Sequence, residues 1–326
     1  MTVEMSQADP VFDPANVGES LDVLREQLPM RDQSFRGTVV GEFASSQKGS
    51  GFDINGVRDY VLGDDTRHVD WRATARQPDH QLQVREHYRD TMPALWVVTD
   101  ALQSRNEVNP GYFSEQQLAL SAVTGLIRIA NLQGMPSAVI ASDDYETAIA
   151  QRQPMHGKVH LRRTAQMLAD VMLAEASEDT TAPGHLAELL RYGSQRCMGS
   201  IVAVVSDFRE VADPDDAEQG WKTPLEDLIR RGNQLVAVEV TNPWDYRLPA
   251  TVDRFTTREG VLWVGNDKQG QRQRAQYEAD AQAQQVAIDD ALAGIKAHHI
   301  KLSTAEPQWL GSFRDQLRPN GAYRKA

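Results

Sequence analysis

Short apolar runs alternate with amphipathic segments along the C-terminal two thirds of the chain. Residues 94–100 read ALWVVTD, a nearly continuous apolar run that is typical of a strand buried on both faces. Comparable runs follow at 136–142 (PSAVIAS), 200–207 (SIVAVVSD), 234–240 (QLVAVEV) and 299–304 (HIKLST). The pattern therefore predicts a sheet whose strands are buried in the interior of the protein.

The segments between these runs have helical periodicity. Ser114 and Gln117 have the spacing of a capping box, and Gly134 marks the end of the helix that follows them. One face of that helix is apolar and carries Leu118, Val123, Leu126, Ile127 and Ala130. The same periodicity predicts helices at 158–173, at 184–193, from Pro224 to Gly232, at 271–296 and around Trp309 and Phe313.

Strands that alternate with helices specify an α/β fold with a doubly wound, mostly parallel sheet and helices on both of its faces. We expect a polar lead-in at 1–36, a small loop-rich unit with β-strands at 37–90, and the main α/β domain at 91–326. In such sheets, ligands bind beyond the carboxyl ends of the strands, where the strand order reverses. Asp100 and Asp207 end two of the apolar runs, so we expect both carboxylates at that edge.

Composition excludes several classes of function. The 326 residues include 46 acidic and 34 basic side chains, a formal charge of −12, which argues against binding to nucleic acid or to an anionic membrane surface. The single cysteine, Cys197, excludes an internal disulfide and adjoins an apolar run, which favours a buried, inert thiol. No apolar window reaches the roughly 18 residues of a membrane span, and the acidic start is unlike a signal peptide. We therefore expect a soluble, cytoplasmic protein with no membrane insertion of this chain.

The sequences around Asp100 and Asp207 resemble a known metal-binding motif. The segments VVTDALQS and VVSDF resemble the metal-ion-dependent adhesion site of von Willebrand factor A-like domains. The resemblance implies that Asp100, Ser104 and Asp207 supply oxygen ligands to Mg²⁺, with Thr181 or its neighbour Thr180 as the threonine. Leu102 stands where the motif has its first serine and offers no oxygen, which implies a degenerate site with weak Mg²⁺ binding. Alternatively, the two aspartates only cap helix N-termini.

A second, longer resemblance covers the charged block at 58–76, RDYVLGDDTRHVDWRATAR, and the segment VREHYRD at 84–90. Both are similar to the signature of the domain-of-unknown-function family fifty-eight (DUF58). The residues in register are Tyr60, Gly63, Asp64, Asp65, Arg67, Asp70, Trp71, Ala75, Arg76, Arg85 and Glu86. The resemblance implies a non-catalytic adaptor that works with a MoxR-type AAA+ ATPase and other von Willebrand A proteins in assembly, maturation or chaperoning of client proteins.

The charged block has two interpretations from its residues alone. In the first, Gly63 permits a turn with positive φ, the aspartates accept backbone N–H groups or pair with arginines, and a buried Trp71 fixes the loop to the protein. In the second, the block presents a surface to a partner. The two interpretations are compatible, because a rigid loop is a good platform for recognition.

An enzymatic alternative remains open beside the adaptor. In it, Asp64, Asp65, Asp70 and Asp100 form a carboxylate cluster for Mg²⁺ or Mn²⁺ in a metal-dependent hydrolase. The arginines interleaved with these aspartates would neutralise them and compete with a metal ion, which favours the adaptor.

Overall fold

The computed structural model describes residues 8–18, 21–22, 48–61, 66–76, 81–88, 93–100, 112–142, 149–151, 154–173, 185–209, 220–248, 254–257, 260–263 and 267–317. The chain divides into two compact units. The smaller consists of residues 40–93, and the larger of residues 1–39 together with 94–326.

The small unit is built on an antiparallel pair of strands, β1 (Lys48–Asp59) and β2 (Gln83–Tyr88). The register is irregular between Gly49 and Gly56, which marks a β-bulge. A 3-10 turn (Thr66–His68) and a one-turn helix, α1 (Trp71–Thr74), lie between the two strands in the sequence. Short strands and turns therefore form the described part of this unit.

The larger unit is built on a six-stranded sheet. Its strands are β3 (Leu95–Thr99), β4 (Ser137–Ser142), β5 (Ile149–Gln151), β6 (Ile201–Ser206), β7 (Gln234–Thr241) and β10 (His298–Ser303). They lie in the order β10-β7-β6-β3-β4-β5, and all neighbouring pairs are parallel except β4 with β5. A separate hairpin joins β8 (Arg254–Thr257) and β9 (Gly260–Trp263). The predicted α/β class with a mostly parallel sheet is confirmed.

Six helices of the larger unit occupy the segments where the sequence predicts helices. They are α2 (Glu115–Leu132), α3 (Lys158–Leu173), α4 (His185–Ser194), α5 (Lys222–Arg230), α6 (Lys268–Gly294) and α7 (Trp309–Gln316). The capping box of α2 is present, because Ser114 Oγ accepts the Gln117 N–H at 3.1 Å and Gln117 Oε1 accepts the Ser114 N–H at 3.1 Å. Gly134 has a φ of +72°, as a C-terminal glycine does.

The sheet is buried on both faces by these helices. On one face, Leu190 of α4, Leu225 of α5 and Leu292 of α6 pack in a cluster with Trp96 and Val98 of β3. Side chains alternate along a strand, so the other face of β3 presents residues such as Val97, which is fully buried. There α2 contacts four strands and is itself buried on nearly all sides. Burial on both faces explains why the strands read as continuous apolar runs.

Residues near the N-terminus also belong to this core. Phe12, within the predicted polar lead-in, is fully buried, and its N–H donates to Ser121 Oγ of α2 at 2.7 Å. The indole N–H of Trp309 donates to the carbonyl of Pro10 at 3.2 Å. The described segment 8–18 therefore packs within the larger unit.

Two expectations from composition can be compared with the structure. Cys197 is fully buried, and burial raises the pKa of its thiol to about 12, which agrees with an inert thiol. Among the helices that the structure describes, none is long and apolar enough to cross a lipid bilayer.

The last strand of the sheet, β10, has its outer side occupied by a side chain. The amide of Gln316 accepts the Lys301 N–H and donates to the Lys301 carbonyl, both at 2.8 Å. The Gln316 carbonyl in turn lies 2.7 Å from His298 Nε2. The end of α7 is therefore fastened to the backbone of this strand.

Candidate functional site

The strand order reverses between β3 and β6. β3 is the first strand of the larger sheet in the chain; β4 pairs with it on one side and β6 on the other, with Thr99 opposite Val205. Asp100 and Asp207 directly follow these two strands, and both are partly buried. The structure therefore places the two predicted carboxylates on neighbouring strand ends, at the crevice where such sheets bind ligands.

A tight turn holds Asp207 in position. Its Oδ1 accepts the Arg209 N–H at 2.9 Å, and Ser206 Oγ accepts the Phe208 N–H at 3.1 Å. Phe208 has a φ of +54°, in the left-handed region that residues other than glycine rarely adopt. Its ring packs edge-on against Trp221 with centroids 5.4 Å apart, and the Trp221 indole donates to the Phe208 carbonyl at 3.1 Å. Packing and hydrogen bonds therefore support a strained backbone at this strand end.

Arg209 places a fixed positive charge beside Asp207. Its guanidinium lies over the ring of Tyr246 at 4.9 Å, and Nη1 donates to the carbonyl of Asp245 at 3.2 Å. Burial alone would lower the pKa of Arg209. The charges of Asp245, Tyr246 and Asp207, in decreasing order of effect, raise this pKa above its usual value. The guanidinium is therefore charged, and it offsets part of the negative potential at this edge.

Asp245 adds another carboxylate to the edge. It follows β7, and its Oδ2 accepts the Asn242 N–H at 2.8 Å in a capping box. Burial raises the pKa of Asp245 to about 7; the nearby charges of Glu115 and Asp207 act in the same direction, whereas Arg209 opposes them. The ends of β6 and β7 and the start of α2 therefore bring acidic groups close enough to interact.

Arg209, Glu115 and Asp245 were not predicted from the sequence as residues of this site. The segment NPWD at 242–245 contained a signal, because Asn followed three residues later by Asp has capping-box spacing. The sequence could not show that this turn lies beside Asp207, since 36 residues separate Arg209 from Asp245.

The described residues include some of the oxygen ligands predicted for Mg²⁺ at this edge. Of the residues that the resemblance assigns to the metal, Asp100 and Asp207 are described, whereas Ser104 and Thr181 lie outside the described residues, as does Leu102. Mg²⁺ requires about six oxygen ligands in near-octahedral geometry. Two of the proposed oxygen ligands are therefore described, and the Mg²⁺ site stays a prediction.

The signature block has a definite backbone arrangement in the small unit. Asp70 caps α1, since its Oδ1 accepts the N–H groups of Arg72 and Ala73, each at 3.0 Å. The Asp70 N–H donates to the Gln83 carbonyl at 2.7 Å, and the Tyr60 N–H to the Leu82 carbonyl at 2.8 Å. Arg67 and Arg76 are exposed, and Arg85 and Glu86 lie on β2. Gly63, Asp64 and Asp65 lie outside the described residues.

Trp71 does not occupy the place expected for it. The expectation of a buried indole is wrong, because this side chain is 69% exposed. Val69 and Val84 are buried instead and form an antiparallel bridge, and Thr74 Oγ1 accepts the Gln83 N–H at 3.0 Å. Backbone hydrogen bonds and two valines therefore hold the block in place, and the tryptophan is presented to solvent.

The carboxylates of the enzymatic alternative come from both units, and Asp64 and Asp65 lie outside the described residues. Asp70 belongs to the small unit and Asp100 to the larger one. A carboxylate oxygen of Asp70 already accepts two backbone N–H groups as a helix cap. The cap gives Asp70 a structural role that needs no metal ion.

Residues 56–287 match the family described as "Protein of unknown function DUF58". Uncharacterized proteins of Mycobacterium bovis and of two strains of Mycobacterium tuberculosis are similar to the chain, each 25% identical over 222 residues. The similarity covers 68% of this chain, and the chain spans 65% of the length of these curated relatives.

Proposed function

The chain belongs to the DUF58 family, and from that premise and the geometry of its sheet we propose that it is a non-catalytic interaction module of the von Willebrand A-like type. Its docking surface is the carboxyl edge of the larger sheet, defined by Asp100, Glu115, Asp207 and Asp245. The order of the parallel strands supports this proposal, because the order reverses between β3 and β6 and open parallel sheets bind ligands at such a reversal.

The observation that carries the proposal is the convergence of acidic groups at the switch point. Glu115 and Asp207 both act on the ionisation of Asp245, although the three residues come from different elements. Like charges held close together favour a cationic ligand that relieves their repulsion. The surface therefore suits lysine and arginine side chains of a partner chain.

The partner that we propose is a MoxR-type AAA+ ATPase, in keeping with the resemblance of the signature block. In this proposal the chain acts as an adaptor for assembly, maturation or chaperoning of client proteins, together with other von Willebrand A proteins. The field of an acidic patch would steer a basic surface toward it and accelerate association.

A hydrolytic function receives less support from the geometry. Asp207 and Asp245 each accept a backbone N–H, Arg209 offsets their charge, and Asp70 caps a helix. These contacts hold the carboxylates in structural roles. A docking surface uses carboxylates held in position directly, whereas a hydrolase would also need a positioned nucleophile or a metal ion there.

The test is co-purification of the chain with a MoxR-type ATPase encoded beside it. Asp100 and Asp207 are both changed to Ala, and circular dichroism and thermal melting establish that the variant folds. The matched control changes Asp170 and Asp280 to Ala, since both are exposed helical aspartates that accept a hydrogen bond from the glutamine four positions earlier.

We expect capture to fall at least tenfold in the edge variant and to stay unchanged in the control. Capture should also weaken as salt rises from about 50 to about 300 mM, because the Debye length falls from roughly 14 to roughly 6 Å over this range. Undiminished capture by the folded edge variant would exclude this edge as the docking surface.

A further inference from the structure

A polar cluster lies between the sheet and α6. It is on the face of β7 opposite to the face that α2 covers. Glu239 of β7 is fully buried and shares a face with Leu235 and Ala237, which pack toward α6. His299 of β10 faces it, with Nε2 2.7 Å from Glu239 Oε2. The same ring presents Nδ1 3.8 Å from Asp289 Oδ1 of α6. Three elements, of which β7 is distant in sequence from α6 and β10, thus bring two carboxylates and an imidazole together.

The donor atoms have the spacing of a metal site. Glu239, Asp289 and His299 each offer one ligand atom, and these atoms all lie within 4.8 Å of one another. Donors bound to one Zn²⁺ at ~2.0–2.2 Å lie roughly 3.4 Å apart in a tetrahedron. A shift of about 1 Å by the side chains therefore closes the set around an ion, and the two carboxylates balance its double charge.

A further residue already orients both carboxylates. Gln285 Nε2 donates to Glu239 Oε1 at 2.9 Å and to Asp289 Oδ1 at 3.1 Å. The Gln285 carbonyl oxygen is itself fixed, because the Tyr246 hydroxyl donates to it at 2.9 Å. Hydrogen bonds of this kind, one step away from the ligands, hold metal-binding side chains in position and tune their affinity.

The ammonium group of Lys301 lies at the solvent-exposed side of this cluster. Its Nζ lies 2.7 Å from Asp289 Oδ1 and 3.8 Å from Glu239 Oε2. Lys301 and Asp289 are each more than two fifths exposed, and exposed ion pairs are weak. The position of the ammonium group therefore attracts a cation. The lysine side chain can move from this position into solvent.

We propose that Glu239, Asp289 and His299 bind a divalent transition-metal ion of the Zn²⁺ type, in competition with the Lys301 ammonium. An imidazole with two carboxylates suits Zn²⁺ or Co²⁺, whereas Mg²⁺ prefers oxygen ligands alone. Water completes the coordination, as it does where a protein supplies three ligands. The site is independent of the docking surface proposed above, because it uses none of the acidic residues that define that surface.

The experiment measures metal binding to the purified full chain. ZnCl₂ is titrated by calorimetry, and Co²⁺ is titrated with visible absorption as a readout of its coordination. The variants are Lys301→Met, His299→Gln, Glu239→Gln and Asp289→Asn, with Lys222→Met as the matched control for loss of an exposed lysine. Thermal melting shows which variants fold, and Asp289→Asn keeps the test valid if the buried Glu239→Gln variant does not.

We expect one Zn²⁺ per chain, affinity at least tenfold higher in Lys301→Met, unchanged affinity in Lys222→Met, and a loss of at least tenfold in His299→Gln and Asp289→Asn. MgCl₂ should give no competing signal. Equal affinity of the parent and Lys301→Met, or full binding by folded His299→Gln, would overturn the proposal and assign the metal to other groups.

Discussion

Arg209 donates to the backbone carbonyl of Asp245 at 3.2 Å, while its Nε stays 3.8 Å from the carboxylate of the same residue. The stronger contact therefore goes to a neutral acceptor, and the carboxylate receives only part of the stabilisation that a paired guanidinium gives. Burial dominates as a result and raises the pKa of Asp245 to about 7. The relationship makes the carboxyl edge sensitive to pH near neutrality.

The first prediction concerns Asp245→Asn. The pKa of Asp245 rises from 3.8 to about 7 on folding, so the folded state binds more protons than the unfolded state between these values. Stability of the parent therefore falls as pH rises through this window. An amide oxygen can still accept the Asn242 N–H, so the variant should gain roughly 2–4 kcal/mol relative to the parent between pH 4 and 8.

Urea unfolding of both proteins at several pH values measures this difference. A gap between the two free energies of unfolding that stays constant from pH 4 to pH 8 would show that Asp245 titrates alike in both states.

The second prediction concerns Trp71→Ala. Because the indole is 69% exposed, its loss should change the free energy of unfolding by less than about 1 kcal/mol. Trp309→Ala serves as the comparison, since Trp309 is fully buried and its removal should cost about 3–5 kcal/mol. Thermal and urea denaturation measure both. A large loss from Trp71→Ala alone would return this residue to the scaffold role that the sequence suggested.

The third prediction concerns Arg209→Lys. A lysine keeps the charge but cannot reproduce the planar stacking on Tyr246 together with the hydrogen bond to the Asp245 carbonyl. We expect a loss of about 1–2 kcal/mol in the free energy of unfolding. Arg230→Lys, on the exposed end of α5, provides the control with little expected change. Equal stability of the two variants would contradict a positioning role for Arg209.

The fourth prediction concerns Leu102→Ser. Leu102 lies outside the described residues, and the prediction follows from the motif that it interrupts. The parent should bind Mg²⁺ weakly in calorimetry, because a small, strongly hydrated cation needs a full set of oxygens. The serine should strengthen binding several-fold. Tight binding by the parent would mean that other oxygens complete the shell.

The sequence predicted those parts of the fold that local patterns determine. Five apolar runs became parallel strands, and Ser114, Gln117 and Gly134 marked the ends of a helix as expected. Asp100 and Asp207 were placed on neighbouring strand ends because the topology of parallel sheets constrains where strands finish.

The remainder depended on contacts between distant segments. Trp71 was expected to be buried, since size and apolarity do not tell whether other residues cover a side chain. Glu239 and His299 are 60 residues apart, and the register of β7 with β10 is what brings them within 2.7 Å. A single sequence contains no local signal for such a pair.

The Gln316 side chain has a consequence for assembly. An edge strand with free N–H and C=O groups is a template to which another extended chain can pair, either as a ligand or in aggregation. At Lys301 both groups are already satisfied by one amide, which imitates the missing neighbouring strand over one residue. Strand addition along β10 would first have to displace Gln316 and loosen α7. Among the described residues, Gln316 therefore protects the outer side of β10 against sheet extension at Lys301.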